Sequence, residues 1–181
     1  PKPSAESALA RDLIRAWSPS GAEGPAAQVL LRAFRELGFD EAYTDDAGNA
    51  IGVISRGPGP TVMFNGHIDT VPAGDADEWP HPPFEGVIAD GMLWGRGACD
   101  MKGPLAAMTL AASDAARMGF NGTLIVSGVV QEEVGGLGAR YLTRELAVDT
   151  IILGEPSDLE LKLGHRGRVE LEVTLPGRIA H

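Results

Sequence analysis

The feature that most constrains this chain is a series of short apolar segments, each followed by a Gly-rich turn that carries an acidic or imidazole side chain. TVMF leads to His67 and Asp69, LIVSGVV leads to Glu132 and Glu133, and TIIL leads to Glu155. Short apolar runs of this kind are typical of buried strands. Because ligands of open α/β sheets lie beyond the carboxyl ends of the strands, we expect these side chains to converge at one edge of a sheet.

Predicted helices alternate with predicted strands along the whole chain. Helical spacing or composition predicts four helices, at Ala5–Trp17, Pro25–Leu37, Pro104–Met118 and Gly138–Leu146. Strands are predicted at Glu41–Thr44, Ala50–Ser55, Thr61–Asn65, Thr123–Val130, Thr150–Leu153, Leu159–Leu163 and Arg168–Leu175, with a hairpin of Phe84–Ala89 and Met92–Trp94. This alternation favours an α/β fold with a mixed, largely parallel central sheet and helices on both faces.

Composition limits the classes of partner. The net charge of −10 argues against nucleic acid and against an anionic membrane surface. No apolar stretch reaches the ~20 residues that a membrane span requires. The single cysteine, Cys99, rules out an internal disulfide and is compatible with a cytoplasmic location. We expect Cys99 to be a small buried residue and not a nucleophile.

The same side chains, together with Asp100 in GRGACDMKG, form a set of ligands suited to a metal. One imidazole with several carboxylates fits Zn, Co or Mn better than copper or an iron–sulfur cluster. Crowded carboxylates raise one another's pKa unless a cation compensates them. A metal ion is the simplest way to hold these groups together.

Individually, three of these positions have structural explanations as well. His67 and Asp69 lie on one side of an extended segment, where Asp69 could accept a hydrogen bond from a metal-bound His67 or from a merely buried histidine. Asp100 could bridge two metal ions, or it could be the N-cap of the helix predicted near Pro104. Glu155 could be a metal ligand or an ordinary loop carboxylate.

The adjacent pair Glu132–Glu133 is the sharpest local signal. Two carboxylates directly after a buried strand point in different directions, so one can bind metal while the other acts as a general base. The alternative is a charged first turn of the following helix. Glycines at 135, 136 and 138 separate the pair from that helix and weaken this alternative.

Five motifs together resemble the zinc-dependent amidohydrolase and metallopeptidase family of acetylornithine deacetylase, succinyl-diaminopimelate desuccinylase, aminoacylase and glutamate carboxypeptidase. These motifs are GHIDTVP, WPHPPFEG, DGMLWGRGACDMKG, QEEVGGLGAR and ILGEPS. The tail GEPS…LGHRGR and the DMKGPLAAM helix look most similar to the acetylornithine deacetylase and acetyl-lysine or carrier-protein-lysine hydrolase branch.

The resemblance implies a role for each side chain in a site with two Zn ions, for which Co or Mn could substitute. His67, Asp100 and Glu155 would bind the first ion, and Asp100 and Glu133 the second, with Asp100 bridging. Glu132 would be the general base for a metal-bound water, and Asp69 would orient His67. The family also implies a cis peptide bond after Asp100. The substrate would be a small N-acyl amino acid or a dipeptide-like amide.

Members of this family usually carry a second histidine ligand and an inserted lid domain that mediates dimerisation. By this resemblance, residues 1–175 are the N-terminal part of a di-zinc catalytic domain, and residues 176–181 begin the lid. We expect a weak second metal site, little or no activity of this chain alone, an exposed apolar sheet edge, and a homodimeric full-length protein. Two alternatives stay open: a non-catalytic metal-binding or regulatory domain on the same fold, and an aminopeptidase.

Overall fold

A computed structural model describes residues 3–164, 167, 169 and 171–178, in which the chain forms four helices and seven strands. The helices are α1 (Ala5–Arg15), α2 (Gly24–Glu36), α3 (Gly103–Met118) and α4 (Leu137–Glu145). The strands are β1 (Glu41–Thr44), β2 (Ala50–Arg56), β3 (Thr61–His67), β4 (Val87–Ala89), β5 (Met92–Trp94), β6 (Gly122–Val129) and β7 (Thr150–Leu153). None of the helices in these residues has the length and apolarity to cross a bilayer.

The central sheet has five strands in the order β1-β2-β6-β3-β7. β3 lies between β6 and β7 and is parallel to both. β2 is antiparallel to its neighbours β1 and β6, so it is the only one of the five that runs in the opposite direction. The sheet is therefore mixed and largely parallel. Strands β4 and β5 form a separate antiparallel hairpin.

Helices cover both faces of this sheet. On one face α1, α2 and α3 pack in the larger core cluster, which includes Phe34, Leu105 and, from the strands, Ile54 and Val126. On the other face Leu142 of α4 packs in a smaller cluster with strand residues such as Met63 and Ile125. The alternation of strand side chains between two faces produces this division, because successive residues of a strand point to opposite sides.

The predicted helices and most predicted strands agree with the structure to within two residues at each end, whereas β4 of the predicted hairpin begins three residues later than expected, at Val87. The predicted strand Leu159–Leu163 is wrong: these residues form no strand, and Leu159, Leu161 and Leu163 are exposed. An alternating pattern becomes a strand only where a neighbouring strand completes its hydrogen bonds. In the predicted strand Arg168–Leu175, residues 168 and 170 lie outside the described part, and 171–175 form no strand.

The expected exposed apolar edge is present at β7. Ile151, Ile152 and Leu153 are each about half exposed, although β3 pairs with this strand on its other side.

Candidate metal centre

The register of the parallel strands brings the predicted ligands to one edge of the sheet. His67, the last residue of β3, is level with Val129 at the end of β6. On the other side of β3, Asn65 is level with Leu153 at the end of β7. His67 lies two residues after Asn65, and Glu155 lies two residues after Leu153, so the two side chains come at the same level. Because β3 is flanked by β6 and β7, the imidazole lies between the loop that carries Glu132–Glu133 and the loop that carries Glu155.

The imidazole of His67 is buried, with 1% of the residue exposed, and both ring nitrogens have partners. Nδ1 lies 2.9 Å from the backbone carbonyl of Asp69 and 3.4 Å from its Oδ1. Nε2 lies 2.9 Å from Asp100 Oδ1 and 4.0 Å from Glu155 Oε1. The nearest partner of Nδ1 is thus the backbone carbonyl of Asp69, and the carboxylate of Asp69 lies somewhat farther away.

Asp100 reaches the site from the turn Ala98–Lys102 that precedes α3. The peptide bond between Asp100 and Met101 is cis, as the resemblance implies. The capping alternative for Asp100 is not supported, because the N-cap of α3 is Lys102 and no side chain caps this helix. The expectation that Cys99 is buried is wrong: it is exposed, and the side chains that this turn buries are Met101 and Lys102.

Two groups of three side chains bring ligand atoms within 4.8 Å of one another. One group is His67, Asp100 and Glu133, and the other is His67, Glu132 and Glu155. A tetrahedral ion with bonds of about 2.0 Å separates its ligand atoms by about 3.3 Å. The distances of 2.9 Å and 4.0 Å from His67 Nε2 to the Asp100 and Glu155 oxygens bracket this value. The nitrogen-and-oxygen donor set and its spacing therefore fit a divalent ion.

The charges of this cluster alter its titration. Burial lowers the pKa of His67, but hydrogen bonds with Asp69 and Asp100 and the nearby carboxylates outweigh it and raise that pKa to about 10. Burial and the neighbouring carboxylates raise the pKa of Glu133 and Glu155, although the charge of His67 opposes this. Such a concentration of negative charge around one imidazole is what a bound cation would neutralise.

The pair Glu132–Glu133 lies in a loop, since α4 begins only at Leu137 with Gly136 as its N-cap. The alternative of a charged first helical turn is therefore wrong. Asp69, fully buried, accepts hydrogen bonds from the backbone N–H of Glu132 at 3.1 Å and of Glu133 at 3.2 Å, and from the Ser20 hydroxyl at 2.7 Å. Burial raises the pKa of Asp69, but the interactions with His67, Ser20 and the backbone of Glu132 outweigh burial and lower that pKa.

Two further side chains hold the same loop, and sequence reasoning missed both. Asn49 Oδ1 accepts a hydrogen bond from the backbone of Val130 at 2.9 Å, and Asn49 Nδ2 donates to the Gly138 carbonyl at 3.1 Å. Glu23 Oε1 accepts from the backbone of Gln131 at 3.1 Å. No local signal marks either residue, because Asn49 simply precedes a strand and Glu23 simply precedes a helix.

Lys102 is a third missed residue. It is 1% exposed, and its Nζ donates to the carbonyls of Leu13 at 2.8 Å and Ala16 at 3.1 Å at the end of α1. Burial lowers the pKa of Lys102 to about 8, although the charge of Asp69 opposes this. The residue therefore ties the turn that carries Asp100 to the first helix.

An apolar wedge fills the space behind the ligands. Met101, fully buried, and Met108 of α3 lie against Gly66 and Gly154. A Cβ at Gly66 would lie 2.6 Å from Met101 Cε, and one at Gly154 would lie 2.5 Å from Met108 Cε and 2.9 Å from Met101 Cε. The residues next to three candidate ligands thus touch one another, and a side chain at either glycine would require the ends of the methionines to move. His165 and His181 lie outside the described residues.

Comparison with known proteins identifies the family. The family described as Peptidase family M20/M25/M40 matches residues 63–178. The chain is similar in structure to the M20 family metallo-carboxypeptidase Sso-CP2 from Sulfolobus solfataricus, with 23% identity and a TM-score of 0.74 over 84% of this chain and 37% of that one. It is similar to the aminopeptidase PepT from Bacillus cereus, with 26% identity and a TM-score of 0.63 over 82% of this chain and 42% of that one.

A third similar structure is the Bacillus subtilis YXEP protein, described as a dinuclear metal binding peptidase from the M20 family. It is 20% identical, with a TM-score of 0.62 over 82% of this chain and 41% of that one. The present chain thus spans well under half the length of each of these three relatives. Because the family match covers most of the chain and includes all the ligand-bearing loops, the protein belongs to the M20/M25/M40 peptidase family.

Proposed function

We propose that this chain is part of a metal-dependent hydrolase that cleaves an amide bond in a small N-acyl amino acid or a dipeptide-like substrate. One observation carries the proposal: His67, Asp100, Glu132, Glu133 and Glu155 offer ligand atoms in two overlapping groups at the carboxyl edge of the sheet. A site that only bound a metal would need no carboxylate beyond its ligands. In the assignment proposed below, Glu133 is a ligand and Glu132 is left free of the metal, which favours catalysis over a purely regulatory domain.

In this proposal the ligands divide between two zinc ions, which Co or Mn could replace. By the family resemblance, His67, Asp100 and Glu155 would hold the first, and Asp100 and Glu133 would hold the second. The two geometric groups differ from this division, because they join Asp100 with Glu133 and Glu132 with Glu155, each with His67. Bound ions of this kind polarise a carbonyl and lower the pKa of a water molecule. Asp69 acts on both sides of the site, since it contacts His67 and fixes the backbone of Glu132 and Glu133.

Glu132 is the proposed general base. Its exposed carboxylate takes a proton from the attacking water as the oxygen–carbon bond forms, and it then delivers that proton to the amine nitrogen as the carbon–nitrogen bond breaks. The same carboxylate can serve in both steps because it gains a proton in the first step and loses it in the second.

For the whole protein, we propose that residues 1–175 contribute to a catalytic domain and that residues 176–181 lead into a lid domain through which two copies dimerise. The relatives, of which this chain spans 37% to 42%, leave room for such a domain. A cytoplasmic location is consistent with the single cysteine. Aminopeptidase activity is a second candidate, because the B. cereus relative is described as an aminopeptidase.

Zinc stoichiometry and turnover together test the proposal. The 181-residue chain is loaded with zinc, desalted and analysed by elemental mass spectrometry, and we expect fewer than two tightly held ions. The full-length protein should hold about two ions and hydrolyse N-acetyl amino acids or dipeptides. Hydrolysis only of peptides with a free N-terminus would favour the aminopeptidase candidate. Absence of zinc binding and turnover in the full-length protein would contradict the proposal.

A further inference from the structure

Four consecutive backbone N–H groups after β6 donate to side chains from distant parts of the chain. Val130 donates to Asn49, Gln131 to Glu23, and both Glu132 and Glu133 to Asp69. No acceptor in this set belongs to the loop itself. The backbone of the loop that carries the two glutamates is therefore fixed by side chains that lie 63 to 108 residues earlier in the sequence.

Gln131 is the residue of this loop that most needs external support. Its φ is 55°, in the left-handed region that non-glycine residues rarely adopt. Such a conformation persists only where the surroundings determine it. The bond from its N–H to Glu23 Oε1, 3.1 Å long, spans 108 residues of sequence.

Glu23 is buried, with 6% of the residue exposed, and no described residue forms an ion pair with it. A buried carboxylate is costly unless hydrogen bonds compensate it. Here the compensation comes from the N–H of Gly21 at 2.8 Å and the N–H of Gln131, which both donate to Oε1. Glu23 also occupies the N-cap position of α2, where its side chain makes no capping hydrogen bond but its charge is favourable near the helix N-terminus. The bond from Gly21 would serve only local folding, whereas the bond from Gln131 reaches the candidate metal centre.

We propose that Glu23 is a positioning residue for the Glu132–Glu133 pair, acting through the backbone of Gln131. This inference rests on the proposed function, because it concerns the same site. Its physical basis is the length of the glutamate side chain. One carboxylate oxygen accepts hydrogen bonds both from Gly21, just before α2, and from Gln131, directly before Glu132. It thereby fixes the backbone position from which Glu132 and Glu133 follow.

Three variants distinguish the effect of side-chain length at Glu23 from the effect of its charge. Glu23→Asp keeps the charge and the capping position but shortens the side chain by one methylene. Glu23→Gln keeps the length and the acceptor oxygen but removes the charge. Glu23→Ala removes both. Glu36→Ala, which removes an exposed acid at the opposite end of α2, is the matched control.

The first readout is hydrogen exchange of the metal-free 181-residue chain, comparing peptides that cover 129–136 with peptides from α3. Loss of a bond to a charged acceptor should raise exchange at 129–136 about tenfold in the Asp and Ala variants and leave α3 unchanged. Glu23→Gln should retain most of the protection, and Glu36→Ala should match the parent chain. The second readout is zinc affinity by chelator competition, which should fall about tenfold in the Asp and Ala variants.

Two results would overturn the inference. One is a rise in exchange that is as large in α3 as at 129–136, which would mean that Glu23 supports the whole fold. The other is full protection in Glu23→Asp with loss in Glu23→Gln, which would mean that charge at the α2 N-terminus matters and side-chain length does not. If Glu23→Ala does not fold, the Asp and Gln variants still decide between these cases. Failure of the parent chain to bind zinc would count against the proposed function, while the exchange pattern would test Glu23 independently.

Discussion

His67 Nε2 and Asp100 Oδ1 lie 2.9 Å apart, and in the metal-free chain a proton joins them. The same two atoms are the proposed ligands of the first zinc ion. Metal and proton therefore compete for one position, and metal affinity should increase with pH because the ligand must be deprotonated.

The stability of the metal-free chain should fall as pH rises from about 6.5 to 8. The folded-state pKa of His67, about 10, exceeds its ordinary value of 6.5. Its stabilising contribution is thus complete below pH 6.5 and is lost as pH rises towards 10. Above pH 8 the lowered pKa of Lys102 makes stability rise with pH and so opposes the effect of His67. The predicted fall in stability is therefore limited to the range below pH 8. Urea unfolding in a chelating buffer measures this, and His67→Gln should flatten the profile. A parent profile that is flat or rises between pH 6.5 and 8 would contradict the raised pKa, and His81→Gln is the control.

Glu132→Gln in the full-length protein should abolish most turnover without loss of metal. Removal of a general base typically costs at least about 100-fold in kcat. The measurements are kcat on an N-acyl amino acid and zinc content by elemental mass spectrometry. Glu145→Gln, an exposed acid on α4, should leave both unchanged. If Glu132→Gln loses zinc together with activity, then Glu132 is a ligand and not the base.

Asp69→Asn should weaken zinc binding and destabilise the fold together. The amide group keeps one acceptor oxygen but replaces the other with a donor, and the two oxygens now accept from Ser20, Glu132 and Glu133. We expect zinc affinity to fall about 10-fold or more and the free energy of unfolding to fall by about 2 kcal/mol. Chelator competition and urea unfolding test these values, with exposed Asp77→Asn as the control. Unchanged zinc affinity would remove Asp69 from the site.

Lys102→Met should destabilise the chain through the end of α1. Methionine fills a similar volume but leaves the carbonyls of Leu13 and Ala16 without their donor. The expected loss is about 2 kcal/mol in the free energy of unfolding. Urea unfolding tests it against Arg144→Met, which removes an exposed cation from α4. An effect no larger than that of the control would show that solvent replaces the lysine at these carbonyls.

The sequence was sufficient to predict the loops that carry His67, Glu132–Glu133 and Glu155, because each of these loops follows a strand whose apolar pattern is strong. The position of Glu155 beside His67 needed only the parallel pairing of β3 and β7. The supports of the site were not predictable in this way. Glu23 and Asn49 act on residues 108 and 81 positions away, and neither has a local pattern that announces such a contact.

The failed strand at Leu159–Leu163 illustrates a different limit. Alternation of apolar residues there is as regular as in the true strands, but a strand also needs a neighbour for its backbone hydrogen bonds. The prediction that Cys99 is buried was wrong for a related reason. Burial in the turn Ala98–Lys102 depends on how the turn is oriented against α1 and β3, and composition does not determine that orientation.

The wedge of Met101 and Met108 against Gly66 and Gly154 has a consequence for metal selectivity. Because the parallel pairing of β3 with β7 sets the distance between the strand ends and the two methionines fill the space beside them, the backbone frame does not depend on an ion. Exchange of one divalent ion for another of different radius must then be absorbed by rotation of the carboxylates, with the strands staying where they are. If the site binds zinc as proposed, such a frame would by itself discriminate little among divalent ions of similar radius.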